Sequence, residues 1–261
     1  MKITKEKFLT YLLVCLTMIL CTEVQAANPT KSNIPYGEGI DNGPKSNYRQ
    51  LLDVYQTTSN EPAPVFIWAH QNVPFGKQGF KNVPDVFDEL LKNGISVISW
   101  ESVVRVTTKE EVFTMWDDAK KVLEWVEENA SLYNLDTNKI IIGGHSRGSY
   151  ASWELAHSKE PGIKGIYYAD AVVDITATVD GYNGKNTVGD FITVNSPPIC
   201  FAFGFTEENL PKDNNHNPKY GVAVVEVYEK LGIKEKATCI QGIGFKKRYN
   251  YLLDFVNEVL K

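Results

Sequence analysis

The residues Gly144-His145-Ser146-Arg147-Gly148 carry the clearest chemical signal in the sequence. They follow an apolar run, 139–143, and precede a stretch with helical periodicity. A serine flanked by closely spaced glycines at a strand-to-helix turn is lifted above the edge of a sheet, because only glycine lets the neighbouring backbone approach so tightly. We therefore predict that Ser146 is a nucleophile, which needs a general base, an orienting acid and donors for an oxyanion.

Short apolar runs alternate with longer amphipathic stretches along the chain, and this alternation predicts the elements that position Ser146. The predicted strands are 51–55, 65–69, 95–100, 139–143, 163–168, 199–203 and 237–240. The predicted helices are 83–93, one beginning at a Thr107/Glu110 capping box, 149–157, 222–231 and 249–260. Such alternation is typical of an α/β fold, with a mostly parallel sheet covered by helices on both faces and ligands bound beyond the carboxyl ends of the strands.

Two segments lack this periodicity. Residues 27–47 are predicted to be an irregular lead-in before a domain at 48–261. The Gly- and Asn-rich residues 176–196 are predicted to form a small lid or an irregular excursion.

The stretch Asn134–Gly148 resembles the nucleophile elbow of α/β-hydrolase esterases related to dienelactone hydrolases, feruloyl esterases and lipases. The resemblance extends over about residues 50–261, nearly all of the chain after its N-terminal segment. It implies the α/β-hydrolase fold with a minimal lid, and acyl-enzyme chemistry on Ser146 without a cofactor or a metal. It does not name the substrate, because amides, thioesters and acyl-peptides are cleaved by the same acyl-transfer machinery as carboxylic esters.

The resemblance also implies an oxyanion hole. His70-Gln71-Asn72, just after the strand 65–69, is similar to the family's His-Gly-x loop, with Gln71 in place of the glycine. By this match the backbone N–H groups of Asn72 and Arg147 would bind the oxyanion, and such donors typically contribute about 3–4 kcal/mol to catalysis. The side chains of His70 and His145 are predicted to be structural, with His145 turned away from the nucleophile.

For the acid, the segment Gly204–Pro211 is similar to the family's Gly-x-x-Asp-x-x-Val-Pro, and Glu207 falls on the aspartate. Glu208 is the next candidate. A carboxylate at this place would orient the catalytic histidine and stabilise its charged form.

The family's late histidine is missing from this chain. Its Gly-x-Gly-His context reads Gly242-Ile243-Gly244-Phe245 here, and no histidine follows His216. A phenylalanine cannot accept a proton, so two alternatives remain. Either His216, in the polar loop that also carries Glu207, is the base, or the base has been lost and the chain is a binding protein.

The composition limits the classes of partner that the chain is expected to bind. A formal net charge of −5 with scattered basic residues argues against nucleic acid as the main partner. No Cys/His cluster suggests a metal site. Cys200 and Cys239, the cysteines outside the N-terminal segment, are predicted to be buried thiols, with a disulfide as the alternative.

The N-terminus is typical of a secretory signal peptide. Lys2, Lys5 and Lys7 precede an apolar run, and Val24-Gln25-Ala26 offers a cleavage site. We expect residues 1–26 to be removed, leaving no stable membrane anchor. The sequence thus predicts a secreted or periplasmic serine hydrolase, with a carboxylesterase acting on a small-molecule ester as the favoured activity. The alternative is a catalytically impaired binding protein of the same fold.

Overall fold

The strands of the computed structural model form one sheet. The model describes residues 28–38, 48–71, 86–104, 108–174, 188–212 and 214–261. Within them the strands are β1 (Lys31–Pro35), β2 (Leu51–Tyr55), β3 (Ala63–Ala69), β4 (Ser96–Trp100), β5 (Leu135–His145), β6 (Ile163–Ala169), β7 (Ile199–Ala202) and β8 (Ala237–Ile240). Their order is β1-β2-β4-β3-β5-β6-β7-β8. The strands from β3 onward are parallel to one another, and β2 is antiparallel to both of its neighbours. The predicted, mostly parallel sheet is confirmed.

Helices cover both faces of this sheet. They are α1 (Val86–Lys92), α2 (Lys109–Glu128), α3 (Ala130–Tyr133), α4 (Arg147–Ala151), α5 (Trp153–Ala156), α6 (Lys219–Lys230) and α7 (Leu252–Val259). Alternate residues of β3 enter different cores: Ile67 packs in a cluster with α2, α5 and α6, and Trp68 in a cluster with α1 and α7. Burial on both faces explains the continuous apolar runs of the central strands.

The long helix α2 begins one residue later than the sequence suggested. The capping box is formed by Thr108 and Glu111, not by Thr107 and Glu110. Thr108 Oγ1 accepts a hydrogen bond from Glu111 N at 3.3 Å, and a Glu111 carboxylate oxygen accepts from Thr108 N at 2.9 Å. Either pair has the required spacing of three residues, so the pattern left the register open.

The predicted helix 149–157 begins earlier and is interrupted. It forms α4 and α5, with Ser152 between them. The Ser152 hydroxyl donates to the Gly148 carbonyl oxygen at 2.9 Å. A serine that bonds back to its own helix bends it, which explains the break.

The lead-in prediction was wrong over Lys31–Pro35, which form the edge strand β1 on β2. Most of β1 is exposed, so it lacks the apolar alternation that marks a strand in the sequence. The predicted signal segment, 1–26, lies outside the described residues and stays a prediction. Of the expected lid, residues 176–187 also lie outside them, and Val188–Phe191 form one turn of 3₁₀ helix.

The two thiols are free in the structure. The strand register pairs Cys200 with Thr238 and Phe201 with Cys239. Cys200 lies in the core cluster with α1 and α7, whereas Cys239 packs against the other cluster. The side chains thus point to opposite faces of the sheet, which rules out a disulfide without a shift of register. None of the helices in the described ranges has the length and apolar content needed to cross a membrane.

Candidate active site

Ser146 sits in a strained turn between β5 and α4. Its φ of 52° and ψ of −119° are unusual for a residue with a side chain. A Cβ on Gly148 would collide with the Ala69 carbonyl oxygen, and one on Gly144 with the backbone of Gly148. The two glycines are therefore required by sterics. The residues on either side of Ser146 are buried while Ser146 is partly exposed, so the turn delivers its hydroxyl to the surface of the site.

His216 lies against this hydroxyl. Its Nε2 is 2.8 Å from Ser146 Oγ, within the distance that a general base needs. The histidine belongs to the loop between β7 and α6, where the Asn214 side-chain oxygen accepts a hydrogen bond from His216 N at 2.8 Å. The structure thus brings together two residues that are 70 positions apart in the sequence.

The environment of His216 favours its neutral form. Burial lowers the pKa of His216, the charge of Arg248 lowers it further, and the charge of Asp170 opposes both. When Nε2 accepts the serine proton, Nδ1 must carry the other hydrogen. Nδ1 is buried and has no hydrogen-bond partner among the described residues.

The structure does not bring Glu207 to this histidine. Glu207 and Glu208 are exposed and make no hydrogen bond or ion pair within the described part of the chain. The Asn209 side-chain oxygen accepts from Thr206 N at 2.7 Å, and Thr206 Oγ1 accepts from Asn209 N at 3.4 Å. These reciprocal bonds close a turn with both glutamates on its outside. The match to the family's aspartate therefore holds in sequence but not in position.

Asp170 is the carboxylate whose charge raises the pKa of His216. It was not among the residues predicted from the sequence. It follows β6 directly, is fully buried and has a positive φ of 44°. One carboxylate oxygen accepts from Gly204 N at 2.8 Å, and the other pairs with Arg248 Nη1 at 3.0 Å. A signal was present: the apolar run 163–168 is followed by an acid at the carboxyl end of the strand next to that of Ser146.

His145 is closer to the site than predicted. Its ring centroid is 6.1 Å from that of His216, and its Nε2 is 3.8 Å from an Asp170 carboxylate oxygen. Its Nδ1 lies 3.3 Å from Gln71 Oε1, which accepts a hydrogen bond from it. Burial holds the pKa of His145 well below its ordinary value, with the charges of Arg248 and His216 adding to the effect.

The Arg147 side chain points into the protein, away from any substrate. Its guanidinium donates to the Val103 and His70 carbonyl oxygens and to His70 Nε2. Burial lowers the pKa of Arg147 to about 10. The Arg147 N–H belongs to the first turn of α4, whose amides have no partner within the helix, as the predicted oxyanion role requires. Asn72, the other predicted donor, lies outside the described residues.

Arg248 and Phe245 occupy the loop after β8, where the family has its histidine. The Phe245 side chain is 52% exposed, and the Arg248 guanidinium lies over its ring at 3.7 Å. This loop is joined to the loop after β7, since Gly242 N donates to the Phe205 carbonyl and Gly244 N to the Gly204 carbonyl, each at 3.0 Å. Across the described ranges, no group of three or more His, Cys, Asp or Glu side chains is placed to hold a metal ion.

Three known proteins that are similar to this chain are hydrolases. The solved acetyl ester-xyloside bifunctional hydrolase of Caldicellulosiruptor lactoaceticus has a TM-score of 0.63 and 16% identity, over 88% of this chain and 94% of that one. Esterase 2 of Thermogutta terrifontis, solved after phosphorylation by paraoxon, has a TM-score of 0.60 and 15% identity, over 89% and 94%. Acyl-protein thioesterase 1 of Candida albicans is 22% identical over 184 residues, which are 69% of this chain and 75% of that protein.

The family match covers the strands that build the site. The BD-FAE model matches residues 52–198, more than half of the 261-residue chain, from β2 to the residue before β7. This range includes the elbow and Asp170 but neither His216 nor the loop after β8. By this match the chain belongs to the BD-FAE family, and it is an esterase-type hydrolase of the α/β-hydrolase fold.

Proposed function

We propose that the protein hydrolyses carboxylic esters through an acyl-enzyme on Ser146, with His216 as the general base. The observation that carries the proposal is the 2.8 Å contact between His216 Nε2 and Ser146 Oγ. Two further features support it: the strained elbow turn and the burial that keeps the imidazole neutral, which a base must be.

In the first half-reaction, Ser146 Oγ attacks the ester carbonyl carbon while His216 Nε2 takes the hydroxyl proton. The carbonyl oxygen becomes an oxyanion, which accepts hydrogen bonds from Arg147 N–H and, in this proposal, from Asn72 N–H. The bond to the alcohol oxygen then breaks, and the proton on His216 passes to that oxygen. The alcohol leaves, and the acyl group remains on Ser146.

In the second half-reaction, water attacks the acyl-enzyme and gives a proton to His216. The bond to Ser146 Oγ breaks, the proton returns to the serine, and a carboxylic acid is released. Short acyl esters are the first substrates to test, because the similar structure from Caldicellulosiruptor lactoaceticus is an acetyl ester-xyloside bifunctional hydrolase.

The test compares Ser146→Ala with a matched serine control, Ser131→Ala, which changes an exposed residue of α3. We expect wild type and Ser131→Ala to hydrolyse p-nitrophenyl acetate and to be labelled by a fluorophosphonate. Ser146→Ala should lose about a thousandfold or more in kcat and should take no label. A wild type that neither turns over the ester nor takes the label would overturn the proposal in favour of the binding-protein alternative.

A further inference from the structure

The chain places a buried carboxylate at the carboxyl end of β6, beside the strand that carries Ser146. Asp170 and Ser146 both have a positive φ, at 44° and 52°, and they follow neighbouring parallel strands. The other residues of the described chain with side chains and a positive φ are Asn33 and Asn134. Asparagine and aspartate tolerate this region, whereas serine rarely adopts it, so the backbone strain lies at Ser146 and Asp170 follows the neighbouring strand.

Two neighbours fix the carboxylate. Gly204 N donates to one oxygen at 2.8 Å, and Arg248 Nη1 pairs with the other at 3.0 Å. Arg248 is held in turn, because its carbonyl oxygen accepts from the Tyr167 hydroxyl at 2.7 Å and its guanidinium stacks on Phe245. The Asp170 and Arg248 side chains are 0% and 12% exposed, so water screens their charges poorly.

His216 needs a nearby negative charge once it is protonated. Its Nδ1 is buried without a partner among the described residues, and taking the Ser146 proton makes the whole ring cationic. A cation created in a buried site is unfavourable unless an anion lies nearby. His145, at the end of β5, lies close to both residues, with its ring centroid 6.1 Å from that of His216 and its Nε2 3.8 Å from an Asp170 carboxylate oxygen. The other groups whose charges face the His216 ring are Asp170 after β6 and Arg248 after β8.

We propose that Asp170, held by Arg248 and the Gly204 amide, is the positioning residue that stabilises protonated His216, in place of Glu207. The inference rests on the proposed function for its catalytic meaning. In this arrangement Arg248 has a double effect. It fixes the carboxylate, and its own charge offsets part of the attraction, so the base is regenerated easily after each proton transfer.

The two charges act on His216 in opposite directions, which gives a signature that a structural role would not produce. Asp170 raises the pKa of His216, and Arg248 lowers it. Asp170→Asn keeps an oxygen for Gly204 N but removes the charge, so the pKa of His216 should fall by about 1. Arg248→Gln should raise it by a similar amount. Glu207→Gln is the matched control, and it should change the pKa by less than about 0.3 because an exposed charge is screened.

The experiment is a pH titration of the histidine ring resonances by NMR in the full chain, with His216→Gln used to assign the signal among the four histidines. It is combined with kcat/KM on p-nitrophenyl acetate, where Asp170→Asn should lose about 10³–10⁴-fold. If Asp170→Asn does not fold, the double variant Asp170→Asn/Arg248→Gln removes both charges of the pair, and the pKa of His216 should then lie below its value in Arg248→Gln alone. A His216 pKa that stays constant in these variants, or that falls in Glu207→Gln, would overturn the inference.

The titration needs no turnover, so the two proposals can fail separately. Opposite shifts in an inactive wild type would support the role of Asp170 toward His216 while the proposed function fails. A Ser146-dependent esterase without those shifts would keep the function and overturn the role of Asp170.

Discussion

The loops after β7 and β8 leave the same edge of the sheet and differ in what they bring to it. The loop after β7 carries His216 against Ser146, whereas the loop after β8 carries Phe245 and Arg248. The family's base position lies on the second loop, yet the structure has its imidazole on the first. In the proposed mechanism, the base of this chain is therefore defined by its reach to the serine and not by the strand that precedes it.

The largest expected effect comes from His216. His216→Ala should lower kcat/KM for p-nitrophenyl acetate by about 10³-fold or more, because it removes the imidazole that lies 2.8 Å from the Ser146 hydroxyl. The change should leave the far-UV circular dichroism spectrum intact. Retention of most of the activity would show that the base lies elsewhere, and it would contradict the assignment of the base to the loop after β7.

A smaller effect is expected on the pH dependence of kcat/KM. Burial, reinforced by Arg248, lowers the pKa of His216, and only the neutral ring can accept the serine proton. Activity should therefore persist below the unperturbed histidine value of about 6.5 and decline only as the pH falls through the lowered pKa. The measurement is kcat/KM against pH. A decline centred above 6.5 would mean that the charge of Asp170 outweighs burial.

The smallest effect is expected on the other loop. Phe245→Ala removes a ring that is 52% exposed and stacks on Arg248. Its kcat/KM should stay within about twofold of wild type, because Arg248 keeps its ion pair with Asp170 and its contact with Tyr167 when the ring is removed. A loss comparable to that of His216→Ala would contradict the division of roles between the loops.

Most of the fold could be predicted because its signals are local. Central strands such as β5 and β6 are continuous apolar runs, and α2 buries one stripe at helical spacing, so the sequence pattern alone identifies them. The edge strand β1 has no such pattern, since a strand that pairs on one side and stays exposed needs no apolar face. The break at Ser152 depends on a single side-chain hydrogen bond, which periodicity does not register.

The candidate site also contains one part with a local sequence signal and other parts that depend on contacts between distant segments. The elbow at Ser146 follows from steric rules within five residues, so its turn was predictable. The approach of His216 depends on how one polar loop folds back over the sheet, and the sequence showed only that the loop is long enough. Asp170 was missed because its partners, Gly204 and Arg248, lie 34 and 78 residues away and meet it only through the strand order.

The burial of the two thiols, one on each face of the sheet, has a practical consequence for site-directed labelling. Burial raises the pKa of Cys200 to about 12 and that of Cys239 to about 11, so both remain protonated near neutral pH. Protonated thiols react slowly with maleimides and iodoacetamides, since the thiolate is the nucleophile. A cysteine introduced at Leu132, which is 72% exposed on the short helix α3, would be the preferred attachment point for a fluorophore without removal of either native cysteine.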